Sequence, residues 1–154
     1  MSRTLVLVQS ENFDTGALTE QLRCDDARSG AVVTFTGIVR ELVSDHSLKG
    51  LYLEHYPGMT EKALEKIVAQ ARERWELGNV IVLHRVGRMA LNENIVFVGV
   101  ASAHRKNAFE ASQFIMDYLK RDAPFWKKEI TAQGESWVDQ KATDLSAAES
   151  WKSR

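Results

Sequence analysis

The sequence predicts an α+β fold in one chain, and two observations carry that expectation. Stretches rich in β-branched residues, such as Gly30-Ala-Val-Val-Thr-Phe-Thr-Gly-Ile-Val-Arg40, alternate with segments whose apolar residues recur at helical spacing, such as Leu64, Ile67, Val68, Ala71 and Trp75. No internal repeat or low-complexity linker interrupts this alternation. With 154 residues, 44% of them hydrophobic, the chain is long enough to bury one proper core.

Taken in order, Thr4 to Gln9 reads as a first strand. Asp14 is placed to cap a helix that runs to about Cys24. Gly30 to Arg40 is a long strand, followed by a polar loop over residues 41–47 that is expected to be mobile. Leu51 to Tyr56 returns as a strand, and Pro57-Gly-Met-Thr60 opens a helix that Gly78 ends. Val80 to Val86 and Ile95 to Ala103 are so continuously apolar that burial on both faces is expected, with the polar Asn92-Glu-Asn94 segment joining them. Arg105 to Arg121 keeps a helical stripe of Ala108, Ala111, Ile115, Tyr118 and Leu119, and Pro124 forbids its continuation. Phe125 to Thr131 and Ser136 to Asp139 read as short strands around Gln133-Gly134, and the Ala-rich end of the chain as a loose helix.

Composition excludes several classes of function. Net charge is -1, so attraction of the whole protein to nucleic acid or to an anionic membrane is not expected, and any basic site must be local. No secretory segment and no apolar run of membrane-spanning length is found, which reads as a soluble, cytoplasmic protein. Cys24 is the single cysteine and sits in an amphipathic helical pattern, where it is expected as a small buried hydrophobe. His46, His55, His84 and His104 are scattered, and neither a protein-bound metal nor a cofactor is expected. Phe35, Tyr52, Phe97 and Phe114 read as core, with Trp126 and Trp137 near a site or a partner surface.

Three places carry charge that local structure does not favour. His104-Arg105-Lys106 falls where a buried strand feeds a helix, and basic residues at a helix N-terminus are unfavourable unless an anion binds there. They are phosphate ligands or solvated residues pointing away. Lys120 emerges on the helix beside Met116 and Phe109, and the reversal at Pro124 can return Lys127 to its side. Partial burial and a second ammonium both make a lysine a better base or nucleophile; the plainer alternative is a pair of snorkelling surface lysines. Arg40 at its strand end suits bidentate binding of a phosphate or carboxylate, and equally an ordinary solvated terminus.

These stretches resemble the large, catalytic subunit of molybdopterin synthase. The resemblance lies in Gly30–Arg40, Leu53-Glu-His-Tyr-Pro-Gly-Met-Thr60, Ile95-Val-Phe-Val-Gly-Val-Ala-Ser-Ala-His-Arg105, Phe109-Glu-Ala-Ser-Gln-Phe-Ile-Met-Asp-Tyr-Leu-Lys120, Ala123-Pro-Phe-Trp-Lys-Lys-Glu129 and Trp137-Val138. It implies an α/β hammerhead-type fold with an additional antiparallel β-sheet subdomain, as one domain over residues 1–141 with a polar C-terminal tail over residues 142–154. It also implies a homodimer that becomes a heterotetramer with a small ubiquitin-like sulfur carrier. The carrier's C-terminal Gly-Gly thiocarboxylate would deliver two sulfurs to cyclic pyranopterin monophosphate. By the same resemblance Lys120 and Lys127 are the catalytic lysines. Ile38, Val39, Arg40, Lys128 and Glu129 bind substrate, and His104 and Arg105 serve the pocket of the partner subunit. Lys141 is a further basic contact outside this core set. A phosphoesterase or lyase acting on a cyclic phosphate, and a non-enzymatic scaffold for a ubiquitin-like tail, are the competing readings.

Overall fold

The computed structural model describes residues 2–41, 48–138 and 142–153. Its elements follow the chain as β1 (Thr4–Gln9), α1 (Thr15–Arg23), β2 (Ala31–Ile38), β3 (Leu48–His55), α2 (Met59–Arg74), β4 (Val80–Arg85), β5 (Gly87–Ala90), β6 (Asn94–Ser102), α3 (Arg105–Asp122), β7 (Phe125–Thr131), β8 (Gly134–Val138) and α4 (Ala142–Glu149). A short 3-10 turn at Ser150–Ser153 follows α4. The loop expected to be mobile lies, for residues 42–47, outside the described residues, as do Lys141 and the last residue of the strand expected at Ser136 to Asp139.

Two four-stranded sheets form, in the orders β1-β4-β6-β2 and β5-β3-β7-β8. In the first, β1 and β4 run parallel while β6 is antiparallel to both β4 and β2. Its central strands are buried on both faces, as their continuous apolarity requires. Val80, Val82, Val96, Val98 and Val100 pack with Leu64, Ile67 and Val68 of α2 and with Ala111, Phe114 and Ile115 of α3. On the opposite face Ile81, Leu83 and Phe97 meet Leu18 and Leu22 of α1. Gly99 makes this layer possible, because a Cβ there would run into the Leu22 side chain.

The second sheet is antiparallel throughout. β5 has no counterpart among the sequence expectations. Its four residues are too few to show a period, yet they leave the first sheet after β4 and pair with β3 in the second. Gly87, with φ of 86°, supplies the left-handed turn that this departure needs. Val39, Leu48, Leu51, Leu53 and Met89 form the apolar cluster of this sheet, with Leu91 and Ile95 packed against it.

Four expectations need correction or extension. Cys24 is exposed, because α1 ends at Arg23 and Cys24 lies beyond the buried pair Leu18 and Leu22. Phe35 is 42% exposed rather than core. Tyr52 is half-buried, whereas Phe97 and Phe114 are core as expected. Within residues 142–154, Trp151 is seated in the main core edge-on to Trp75 and Phe114. Its indole N–H donates to Asp117 Oδ2 at 2.7 Å, and Arg74 donates to its carbonyl at 3.2 Å.

Because Trp151 fills space between α2 and α3, Trp151→Ala is expected to cost about 3–5 kcal/mol. Urea unfolding monitored by far-UV circular dichroism measures this, and a loss below about 1 kcal/mol would show that the C-terminal segment is peripheral.

Candidate functional site

Where the C-terminal end of α3 meets the second sheet, a cleft of about 490 Å³ opens. It is lined by Leu51, Leu53, His84, Ile95, Leu119, Lys120, Arg121, Ala123, Phe125, Trp126, Lys127, Val138 and Asp144. Lys120 and Lys127 therefore reach one cavity from two elements. The bend between them does this: Ala123 caps α3 by donating to the Leu119 carbonyl, and the Phe125 N–H returns to the Ala123 carbonyl at 2.8 Å. Pro124 blocks further helix, and β7 runs back along β3 with Lys127 opposite Leu53.

Strand parity then separates two adjacent lysines. Phe125, Lys127 and Glu129 alternate with Trp126, Lys128 and Ile130, so Lys127 and Lys128 point to opposite faces of the sheet. Lys128 lies between Tyr52 on β3 and Trp137 on β8, with Nζ 5.3 Å and 4.8 Å from the two ring centroids. It also pairs with Glu135 at 3.1 Å. That ladder ties three strands together through cation–π contacts and does not line the cleft. Lys128, expected as a substrate contact, thus serves the outer face of the sheet, while Glu129 shares the face of Lys127.

Of the residues expected at the end of β2, Ile38 is 47% exposed and Arg40 is exposed, but Val39 is buried at 1%. The Val39 side chain sits in the apolar cluster, its N–H donates to the Glu93 carbonyl and its carbonyl accepts from Asn92. Val39 anchors the strand end through its buried side chain and its paired backbone. Glu93 is itself held by Arg85, whose guanidinium also donates to the carbonyls of Ser10 and Asn94. The Ala90 N–H and then Arg85 keep the Glu93 carboxyl below the usual range.

His104 caps α3 without a side-chain hydrogen bond, and no acid stands in the first turn of α3. His104 and Arg105 are exposed there. Fifteen residues separate Arg105 from Lys120, roughly 22 Å along the helix axis. One chain therefore brings Lys120 and Lys127 together and leaves His104 and Arg105 at the other end of α3.

Sequence reasoning missed His84. It passed as one scattered histidine, although a titratable residue closing the wholly apolar run Val80-Ile-Val-Leu was a usable signal. Its ring is 4% exposed, stacks on Phe125 at 3.8 Å and 21°, and places Nδ1 2.8 Å from the Arg85 carbonyl. Burial above all, with the positive charges of Lys120 and His55 adding to it against the Arg85 carbonyl, pushes its pKa down to about 3. The imidazole is neutral at physiological pH.

A chain of alternating strands and helices, with a cleft between its sheets edged by two lysines and floored by apolar side chains, defines an α+β protein suited to a ligand with an anionic end. Residues 8–122 match the model of the MoaE protein family. A molybdopterin synthase catalytic subunit of Salmonella typhimurium is 54% identical, across 98% of this chain and all of its own length. The solved molybdopterin biosynthesis MoaE protein of Burkholderia ambifaria superposes with a TM-score of 0.84 at 45% identity, covering 97% of this chain and 99% of its own. Molybdopterin synthase from Staphylococcus aureus gives 0.79 at 32% identity, covering 86% and 96%. The chain belongs to the MoaE family.

A histidine kept neutral by burial makes stability depend on pH. The unfolded chain protonates His84 near its ordinary value of 6.5, whereas the folded chain resists down to about 3. Its contribution is complete above the unfolded value and is lost as pH falls through that window. Between about pH 7 and pH 5, the protein is expected to lose about 2 kcal/mol that His84→Gln does not lose. Paired urea titrations check this, since the other histidines are common to both proteins.

Proposed function

We propose that this chain is the catalytic subunit of a molybdopterin synthase, moving sulfur from the thiocarboxylate end of a small ubiquitin-like carrier onto cyclic pyranopterin monophosphate. The convergence of Lys120 and Lys127 on one cleft is the observation that supports this reading most directly. The cleft has apolar walls in Leu51, Leu53 and Leu119, which suit an extended, uncharged Gly-Gly tail, and cationic groups where an anionic terminus would rest. In one round the carrier's sulfur displaces the phosphate-ester oxygen from a side-chain carbon of the pterin, which opens the cyclic phosphate; in the other it adds to the neighbouring carbonyl carbon, whose oxygen leaves as water. Water cleaves each thioester so formed, the carrier leaves as a carboxylate, and the two retained sulfurs make the dithiolene.

Lys120 meets the thiocarboxylate and Lys127 stabilises the charge that develops on the acyl oxygen. Arg40, His104 and Arg105 hold the phosphate and pterin, with Ile38 on the rim. Because the N-terminus of α3 lies a helix length from the cleft of its own chain, His104 and Arg105 belong to the pocket of a second copy. The working unit is then a homodimer, completed as a heterotetramer by two carriers. We place the reaction in the cytoplasm, where an exposed lone thiol such as Cys24 stays reduced. No described helix is long and apolar enough to cross a membrane.

Single-turnover formation of molybdopterin from purified thiocarboxylated carrier tests the assignment. Lys120→Ala is expected to slow it by about 10²–10³-fold, as does loss of one preorganised charge-stabilising group elsewhere, and a wild-type rate would refute the role. Arg105→Ala is expected to weaken pterin binding about tenfold to a hundredfold while leaving carrier binding near wild type; equal losses would remove the phosphate assignment. Turnover of the cyclic phosphate without any carrier would favour a phosphoesterase instead.

A further inference from the structure

We propose that Arg85 and Glu93 are positioning residues for the substrate: together they clamp the backbone of Val39 and so fix the point from which Arg40 reaches the phosphate. This rests on the reading of Arg40 as a phosphate contact and adds to it the device that aims it.

Each link from the core to Val39 is a polar contact of ordinary length. Arg85 closes β4 and is 6% exposed. Its guanidinium donates to Glu93 Oε1 at 3.2 Å, to the Asn94 carbonyl at 2.9 Å and twice to the Ser10 carbonyl, at 3.1 and 3.0 Å. The other carboxylate oxygen of Glu93 accepts the Ala90 N–H at 2.7 Å, and the Glu93 N–H donates to the Ala90 carbonyl at 3.2 Å. The chain from Ala90 to Glu93 is thereby closed into a turn, with Asn92 in the left-handed region at φ of 71°. That turn grips Val39 from both sides. The Val39 N–H donates to the Glu93 carbonyl at 2.9 Å, and the Asn92 N–H donates to the Val39 carbonyl at 2.7 Å.

The clamp stands where regular pairing breaks. β2 and β6 change register between Gly37 and Ile38, so Ile38 lies opposite Asn94 and Ile95 is left over. Such bulges end pairing and re-aim side chains. Ile95 lines the cleft, and the Val39 side chain packs in the cluster that holds Leu51 and Leu53 of the cleft wall. Past the ladder the turn takes over the hold on the chain. The two arginines therefore differ in kind: Arg85 is enclosed and engaged by three partners, whereas Arg40 is exposed one residue beyond the clamp. A guanidinium on a fixed base has less freedom to lose when it grips an anion than one on a loose chain.

Amide hydrogen exchange tests the clamp without reference to activity. Glu93→Gln has one acceptor oxygen where the carboxylate has two, so it cannot serve both Arg85 and the Ala90 N–H. Protection of the Val39 and Asn92 amides should fall about tenfold in that variant relative to amides in the middle of β6. Unchanged ratios overturn the proposal. Binding of cyclic pyranopterin monophosphate then separates positioning from general stability. Glu93→Gln and Asn92→Val should each weaken it about tenfold, with carrier binding near wild type. Asn92→Gly, which adopts the left-handed conformation without strain, should recover most of the loss seen in Asn92→Val. In an Arg40→Ala background the loss caused by Glu93→Gln should shrink below about twofold, because the side chain it positions is gone. Losses that add in the double variant, or that strike carrier binding equally, would show a structural role only. If Arg40→Ala alone leaves substrate binding unchanged, the phosphate reading of Arg40 fails and the proposal with it, and the exchange ratios still decide whether the turn holds Val39.

Discussion

Strands β4 and β6 carry helices on both faces, so any polar group that enters them has to be satisfied inside the protein. The last two residues of β4 meet this demand in different ways. Arg85 spends its guanidinium on the carbonyls of Ser10 and Asn94 and on Glu93, which fastens the turn beneath the end of β2. His84 gives one nitrogen to a backbone carbonyl and lines the cleft. The rigidity of the site on this side comes from the core strand that builds it.

The second sheet is organised differently. It is fastened across its outer face by Lys128 between Tyr52 and Trp137, with Glu135 neutralising the ammonium. On its inner face the apolar cluster around Val39, Leu51, Leu53 and Met89 covers the ground on which Lys127 stands. One face of β7 therefore holds the sheet together, and Lys127 on the other lines the cleft.

Much of the fold was legible because the strong periodicities were real. The β-branched run of β2, the stripe of α2 and the doubly buried β4 and β6 all formed close to their expected limits. β5 was not legible, since four residues carry no period and its pairing depends on a sheet formed by distant segments. The convergence of Lys120 and Lys127 was readable from helix azimuth and the position of Pro124. The separation of Lys128 from them required the register of β7 against β3 and β8, which local sequence does not encode. His84 was overlooked because a lone histidine is ordinarily a satisfied core residue, and here one nitrogen is satisfied while the second is not enclosed.

The bend at Ala123-Pro124 has a consequence for how this site tolerates change in length. Lys127 and Lys128 are chemically the same, and parity alone assigns one to the cavity and the other to the aromatic ladder. Deleting a single residue from the bend would bring Lys128 opposite Leu53 but put the carboxylate of Glu129 opposite Tyr52, and every residue after them would turn over with them. Natural variation in this stretch should therefore come as substitution rather than as insertion or loss, because the span between helix and strand acts as a measured ruler.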